Sequence, residues 1–239
     1  MGRISLGEML WLLARGELPA PAQIALLEAA MLSTADHGPH APSITVARIA
    51  VTCGAAMNEA MAQGAAMLGD IHGGAIQHAM ELFQSVAAVL ASPYSIDAVV
   101  ASVRQQLDLH DGFLPGFGHR FHTRDPRTRR LKSLAERARV NGVIKGQFIA
   151  LAETVEVALE RVKGKRVPIN IDGIAGAVYS ELGFSPALGQ GLVVLSRSLG
   201  LMAHAWEQMS QGGRIKGPVP KDIGYRYEGP GPREVPSAG

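Results

Sequence analysis

The 239-residue chain is long enough for one sizeable domain with its own core. It carries 47% hydrophobic and 18% charged residues but only 5% aromatics, a balance that favours close-packed helices over a β-sandwich. A formal net charge of +2 is too near zero to argue for nucleic acid or an anionic membrane, and a single cysteine excludes an internal disulfide.

Gly2-Arg3-Ile4-Ser5 leads straight into an amphipathic segment, unlike a signal peptide, and no apolar run approaches the ~20 residues of a membrane span. With a lone thiol, these features lead us to expect a cytoplasmic protein. Apolar residues at helical spacing predict a first helix over Leu6 to Arg15, stopped by Gly16-Glu17-Leu18-Pro19. A second is expected from about Pro21 to Leu32, with proline in its opening turn. Thr34 to Pro42, with two prolines and a glycine, is expected to be a loop, after which Ser43 can cap a helix to about Cys53. Cys53 ends an apolar run and is expected to be a packed core thiol.

Small residues dominate Ala55 to Leu68, which implies close helix–helix approach. Gly69-Asp70-Ile71-His72-Gly73-Gly74 then opens a helix through about Leu90, and Ser95 opens another to about Leu109. Gly112 to Arg127 is irregular and rich in Gly, Pro, His and Arg. Helices follow at roughly Arg129 to Val140, Val143 to Val162, from near Ile171, and Pro186 to Ser210, before a Gly/Pro-rich tail. The fold class is all-α, about ten helices in a single unit over 1–239. Residues 95–185 are a possible small subdomain and 211–239 an extended tail.

Three loop-to-helix junctions carry chemistry-bearing side chains. At Gly69 to Ala75, His72 precedes a helix start, where the free N–H groups and dipole depress a histidine pKa. A neutral imidazole there could donate to a developing enolate oxygen, or His72 could simply cap the helix. At Leu114 to Arg127, two histidines and several arginines alternate with glycines, a composition suited to carboxylates, phosphates or pyrophosphate. At Val167 to Gly176, Asp172 in an apolar frame is either a useful base or a plain N-cap.

In this order, Asp36-His37-Gly38, Gly69-Asp70-Ile71-His72-Gly73-Gly74-Ala75, Gly116-Phe117-Gly118-His119-Arg120, Asp125-Pro126-Arg127, Asn170-Ile171-Asp172-Gly173 and Ser196-Arg197-Ser198-Leu199-Gly200 resemble the citrate synthase superfamily. The closest pattern is the citryl-CoA lyase module of ATP-citrate lyase. The resemblance implies a citrate synthase-like helical fold and a catalytic trio of His72, His119 and Asp172. It implies His37, Arg127 and Arg197 as ligands of substrate carboxylates. Phe117, Gly118, Lys165 and Arg124 are implied on the coenzyme A side, Arg120 less strongly. Coenzyme A would enter as the acyl-CoA substrate or product, with no metal, and a homodimer at least is implied.

Three features lean towards cleavage of citryl-CoA: the start of the chain close to the two-histidine core, the Gly-His-Arg-Phe loop, and the segments Leu195 to His204 and Lys221 to Tyr225. His72 departs from the lyase module, which has an aromatic residue there, and Lys216 and Lys221 stand in a tail without the synthases' Arg-Pro-Arg run. A short citrate or 2-methylcitrate synthase is the alternative, and a non-catalytic acyl-CoA- or citrate-binding subunit a second. His78 and His204 are expected to be satisfied within helices, and Trp11 and Trp206 to be packing anchors. The basic run Arg124 to Lys132 is ascribed to coenzyme A phosphate rather than nucleic acid.

Overall fold

Local capping chemistry sets where the helices begin. Ser5 and Glu8 form a reciprocal capping box, Ser5 Oγ accepting from Glu8 N at 3.1 Å and Glu8 Oε2 from Ser5 N at 2.6 Å. Proline occupies the opening turn of four helices, where its missing N–H costs nothing. The computed structural model describes residues 2–118, 125–217, 222–224 and 228–231. Its helices are α1 (Leu6–Arg15), α2 (Pro21–Thr34), α3 (Pro42–Thr52), α4 (Met57–Ala66), α5 (Ala75–Val89), α6 (Ile96–Leu109), α7 (Pro126–Val140), α8 (Gln147–Lys163), α9 (Ile171–Glu181) and α10 (Pro186–Gln211). The only β-type pairing among the described residues is an isolated bridge between Phe117 and Ile169.

Helix α9 is the hub. Every residue from Gly173 to Ser180 is buried, and the helix packs against α2, α5, α7, α8 and α10. Its far end is tied down: Glu181 accepts from Gly146 N at 2.9 Å and Phe148 N at 2.6 Å, so one carboxylate caps the start of α8. The Arg15 guanidinium donates to the carbonyls of Leu182 and Gly183 and lies over the Trp11 and Phe184 rings. Helices α3, α4 and α10 join through alanine-rich contacts, with Ala41, Ile44, Ala47 and Leu201 in one cluster and Ala50, Ala60 and Ala205 in another. The small-residue stretch thus allows the close approach expected of it.

Some expectations need correcting. Helix α7 starts at Pro126 and not Arg129, because Asp125 caps it by accepting from Arg127 N at 2.9 Å. Residues 143–146 are a turn rather than the start of α8. Ser43 lies inside the first turn of α3 and does not cap it. Cys53 is exposed, since α3 ends at Thr52 and the thiol turns outward at the C-cap. Trp11 is an anchor at 2% exposure, but Trp206 is 64% exposed on an outer stripe of α10 with Leu195, Leu199 and Met202.

Candidate active site

The site is organised around one buried cation. Arg197 lies mid-way along α10 with 8% of its surface exposed, and its Nε donates to the Thr34 carbonyl at the end of α2 (3.0 Å). Burial pulls its pKa below the ordinary arginine value, the carboxylates of Asp172 and Asp36 pull it up, and the like charge of Arg127 pulls it down again. Arg197 also lowers the pKa of His72. Groups from α7, α9, the 35–38 loop and the turn before α5 therefore sit within the field of a single guanidinium, although they lie far apart in sequence.

His72 is half-buried, and its Nε2 lies 3.3 Å from Ser43 N and 3.0 Å from Ser43 Oγ. A backbone N–H can only donate, so Nε2 is an acceptor and the ring hydrogen resides on Nδ1. Burial first, and then the charge of Arg197, hold the pKa below 6.5. The shift favours the neutral imidazole, and its causes are burial and Arg197, while the helix that supplies the N–H to Nε2 is α3. A histidine whose folded pKa is depressed contributes its full stability above the unfolded value near 6.5. That contribution is lost as pH falls below 6.5, because the unfolded chain then binds more protons. In nitrogen-resolved NMR of the imidazoles, His72 should appear as a neutral Nδ1–H tautomer at pH 6.5, and a doubly protonated ring at that pH would contradict this reading.

Asp172 stands in the first turn of α9, but the cap is Asn170, whose Oδ1 accepts from Asp172 N at 2.9 Å and Gly173 N at 3.2 Å. The same side chain donates through Nδ2 to the Gly118 carbonyl at 2.7 Å. Gly118 N reaches the Pro168 carbonyl at 2.7 Å and Asn170 N the Gly116 carbonyl at 3.0 Å. This strapping works only because two glycines face each other. A Cβ on Gly116, whose φ is +85°, would lie 2.9 Å from Gly173 Cα, and one on Gly173 would collide with the Gly116 carbonyl. The 116–118 loop is thus pressed onto the start of the helix that carries Asp172.

Arg127 reaches the same region from α7. Its guanidinium grips Asp125 with Nε at 3.1 Å and one terminal nitrogen at 2.8 Å, and the other terminal nitrogen donates to the Ser33 carbonyl at 3.2 Å. Asp36 is held by His204 Nε2 at 3.2 Å. Burial alone would raise its pKa, but N–H donation from Gly38 and His37, together with His204, brings it below the ordinary carboxylate value. Gly200 lets this loop touch α10: a Cβ there would meet the Ala35 carbonyl at 2.5 Å. His37 is exposed beside Asp36. Beneath the site, Tyr179 is wholly buried. Burial pushes its hydroxyl pKa up, the Thr34 side chain tempers the rise and the Asp172 carboxylate adds to it.

Arg197 therefore lies within electrostatic reach of His72, Asp172 and Arg127. Phe117 is 8% exposed, with its ring edge-on to Phe83 (6.4 Å between centroids), so it serves the core as well as the loop. Gly118 is part of the strapped loop, and Lys165 is exposed on the turn after α8. His119 and Arg124, with Arg120, lie outside the described residues. Sequence reasoning missed Ser43, Asn170, Asp36 and Asp125 as supporting groups. Proline at the opening turn of α3 and the pairing of Asn170 with Asp172 were available signals for the first two.

Among the described residues, no group of three or more His, Cys, Asp or Glu side chains could hold a metal ion, and no helix is long and apolar enough to cross a membrane. A family model described as citrate synthase, C-terminal domain, matches residues 3–218. Citryl-CoA lyase from Hydrogenobacter thermophilus superposes with a TM-score of 0.82 at 33% identity, over 98% of this chain and 88% of that one. Citrate synthase from the archaeon Thermoplasma acidophilum, solved with carboxymethyl coenzyme A and oxaloacetate, gives a TM-score of 0.76 at 26% identity, over 97% of this chain and 58% of that one. In sequence, the citrate synthase of Deinococcus radiodurans is 29% identical over 222 residues, 92% of this chain and 56% of that protein. The chain spans about half the length of the curated relatives it matches.

Proposed function

This chain belongs to the citrate synthase family, and on that premise we propose that it cleaves citryl-CoA, or a close analogue, to acetyl-CoA and oxaloacetate. The observation that carries the proposal is the buried Arg197 guanidinium, which feels Asp172, Asp36 and Arg127 and is felt by His72. Arg197 and Arg127, with His37, supply cationic and N–H donors for the carboxylates of the substrate. His119 would accept the proton of the tertiary hydroxyl as the carbon–carbon bond breaks. The electron pair of that bond passes into the thioester, and the enolate oxygen takes a hydrogen bond from Nδ1–H of His72. Asp172, entering the cycle protonated, then delivers its proton to the methylene carbon, which completes acetyl-CoA; afterwards the proton held by His119 returns to solvent and Asp172 is reprotonated from it. Phe117, Gly118, Lys165 and Arg124 would serve the coenzyme A side.

The lyase direction is favoured by the 33% identity with citryl-CoA lyase over 98% of this chain, against 26–29% with the synthases. The second reading is a short citrate or 2-methylcitrate synthase, supported by the histidine at position 72. Two assays on the same preparation separate them. Oxaloacetate released from citryl-CoA supports the lyase, and free thiol released from acetyl- or propionyl-CoA plus oxaloacetate supports the synthase. Binding of acyl-CoA with neither product would leave only the non-catalytic reading.

A cytoplasmic homodimer completes the proposal. Leu195, Leu199, Met202 and Trp206 form an exposed apolar stripe on α10, which a second copy would cover. Sedimentation should then give about twice 25.2 kDa, and a monomer at micromolar concentration would contradict it. Residues 95–185 are proposed as the smaller body of each subunit.

A further inference from the structure

We propose that His78 is a positioning residue that ties the turn carrying His72 to the segment leading into the 116–118 loop. The inference rests on the reading of His72 as an enolate-binding group. His78 lies in the first turn of α5, and its imidazole touches two other stretches of chain besides Glu81 on its own helix. Nε2 lies 2.6 Å from Asp70 Oδ1, and Nδ1 lies 3.3 Å from Glu81 Oε2. The ring stands edge-on to His110, 4.9 Å between centroids at 64°. Glu81 is held in turn by Gln77 Nε2 at 2.9 Å.

The two contacts outside α5 point towards the site. Asp70 is two residues from His72, in a turn that also contains Gly69, Gly73 and Gly74. Glycines leave a chain with more freedom than any other residue, so a turn this rich in them needs an external anchor. His110 is the C-cap of α6, and its carbonyl accepts from Phe113 N at 2.9 Å, where the chain sets out towards Leu114 and Phe117. The Asp70 side chain is 79% exposed, so the pair adds little to global stability, and its consequence is where it holds the chain. Removing the imidazole frees both sides of the site at once.

The test compares His78→Ala and His78→Gln with the wild-type chain, using hydrogen exchange of peptides covering 69–74 and 111–118, melting temperature, and kcat and KM in the active direction. In His78→Ala, exchange over 69–74 should quicken about tenfold with the melting temperature nearly unchanged. The kcat should fall about 10- to 100-fold at unchanged KM for the acyl-CoA, as expected when a reacting group is displaced by a fraction of an ångström. His78→Gln, which keeps a donor towards Asp70, should recover most of both effects. Unchanged exchange and kcat in His78→Ala, or quickening spread evenly along the chain, would overturn the proposal. If the wild-type chain catalyses neither direction, the functional reading fails, and the exchange measurement alone still decides whether His78 holds the turn.

Discussion

Asp172→Asn should lower kcat about 10²- to 10⁴-fold, the range lost when a positioned acid or base is removed, while the protein folds normally. The amide is nearly isosteric, and the cap that starts α9 belongs to Asn170, whose Oδ1 still accepts from residues 172 and 173. Loss of a carboxylate from the first helical turn costs about 1 kcal/mol or less through the helix dipole. The decisive comparison is therefore single-turnover rate against thermal stability in the same variant. Wild-type turnover in Asp172→Asn would remove this carboxylate from the chemistry and, with it, the assignment of the proton transfer at carbon.

Arg197→Met should damage both activity and stability, because the methionine keeps much of the volume and discards the charge. Asp172 and Asp36 would lose the cation they share, and the Thr34 carbonyl would lose its donor. Leaving the buried Thr34 carbonyl without its donor costs about 1–3 kcal/mol of stability. In binding, the loss of a buried charge partner costs about 2–5 kcal/mol, roughly 30- to 5,000-fold in kcat/KM. A third effect is specific to this site. Arg197 holds the His72 pKa down, so in the variant His72 should titrate closer to 6.5. Denaturant titration, steady-state kinetics and imidazole NMR check the three effects. An unmoved His72 titration would show that the two groups do not share one site.

Much of the fold was legible because helix boundaries are written in local chemistry. Helical spacing over Leu6 to Arg15, Ser95 ahead of α6, the junction near Ile171 and Pro186 in the opening turn of α10 placed α1, α6, α9 and α10 within a residue or two. The misreadings arose where two signals competed. The Gly, Pro and Arg content of 112–127 masked the cap-and-proline start of α7, and the apolar Val143 and Ile144 looked helical although they belong to a turn. Cys53 and Trp206 looked like core residues because periodicity shows that a face is apolar but not what covers it.

The candidate site divided in a similar way. His72, Asp172, Arg127 and Arg197 stood out as unusual residues at junctions or in a motif. Their mutual electrostatics did not, because Arg197 meets groups from four other elements only once α2, α7, α9 and α10 have packed. The support from Ser43 was hidden for the same reason. A serine 29 residues away fixes the tautomer of His72, and no local pattern records such a pairing.

Cleavage of citryl-CoA in D₂O tests the central claim most directly, with the mass of the released acetyl-CoA as the measurement. Oxaloacetate should appear together with acetyl-CoA carrying one deuterium in its methyl group, delivered through the carboxyl at position 172, and Asp172→Asn should release both about 10²- to 10⁴-fold more slowly. Citrate and free coenzyme A as the products, or no product at high enzyme concentration, would contradict the account.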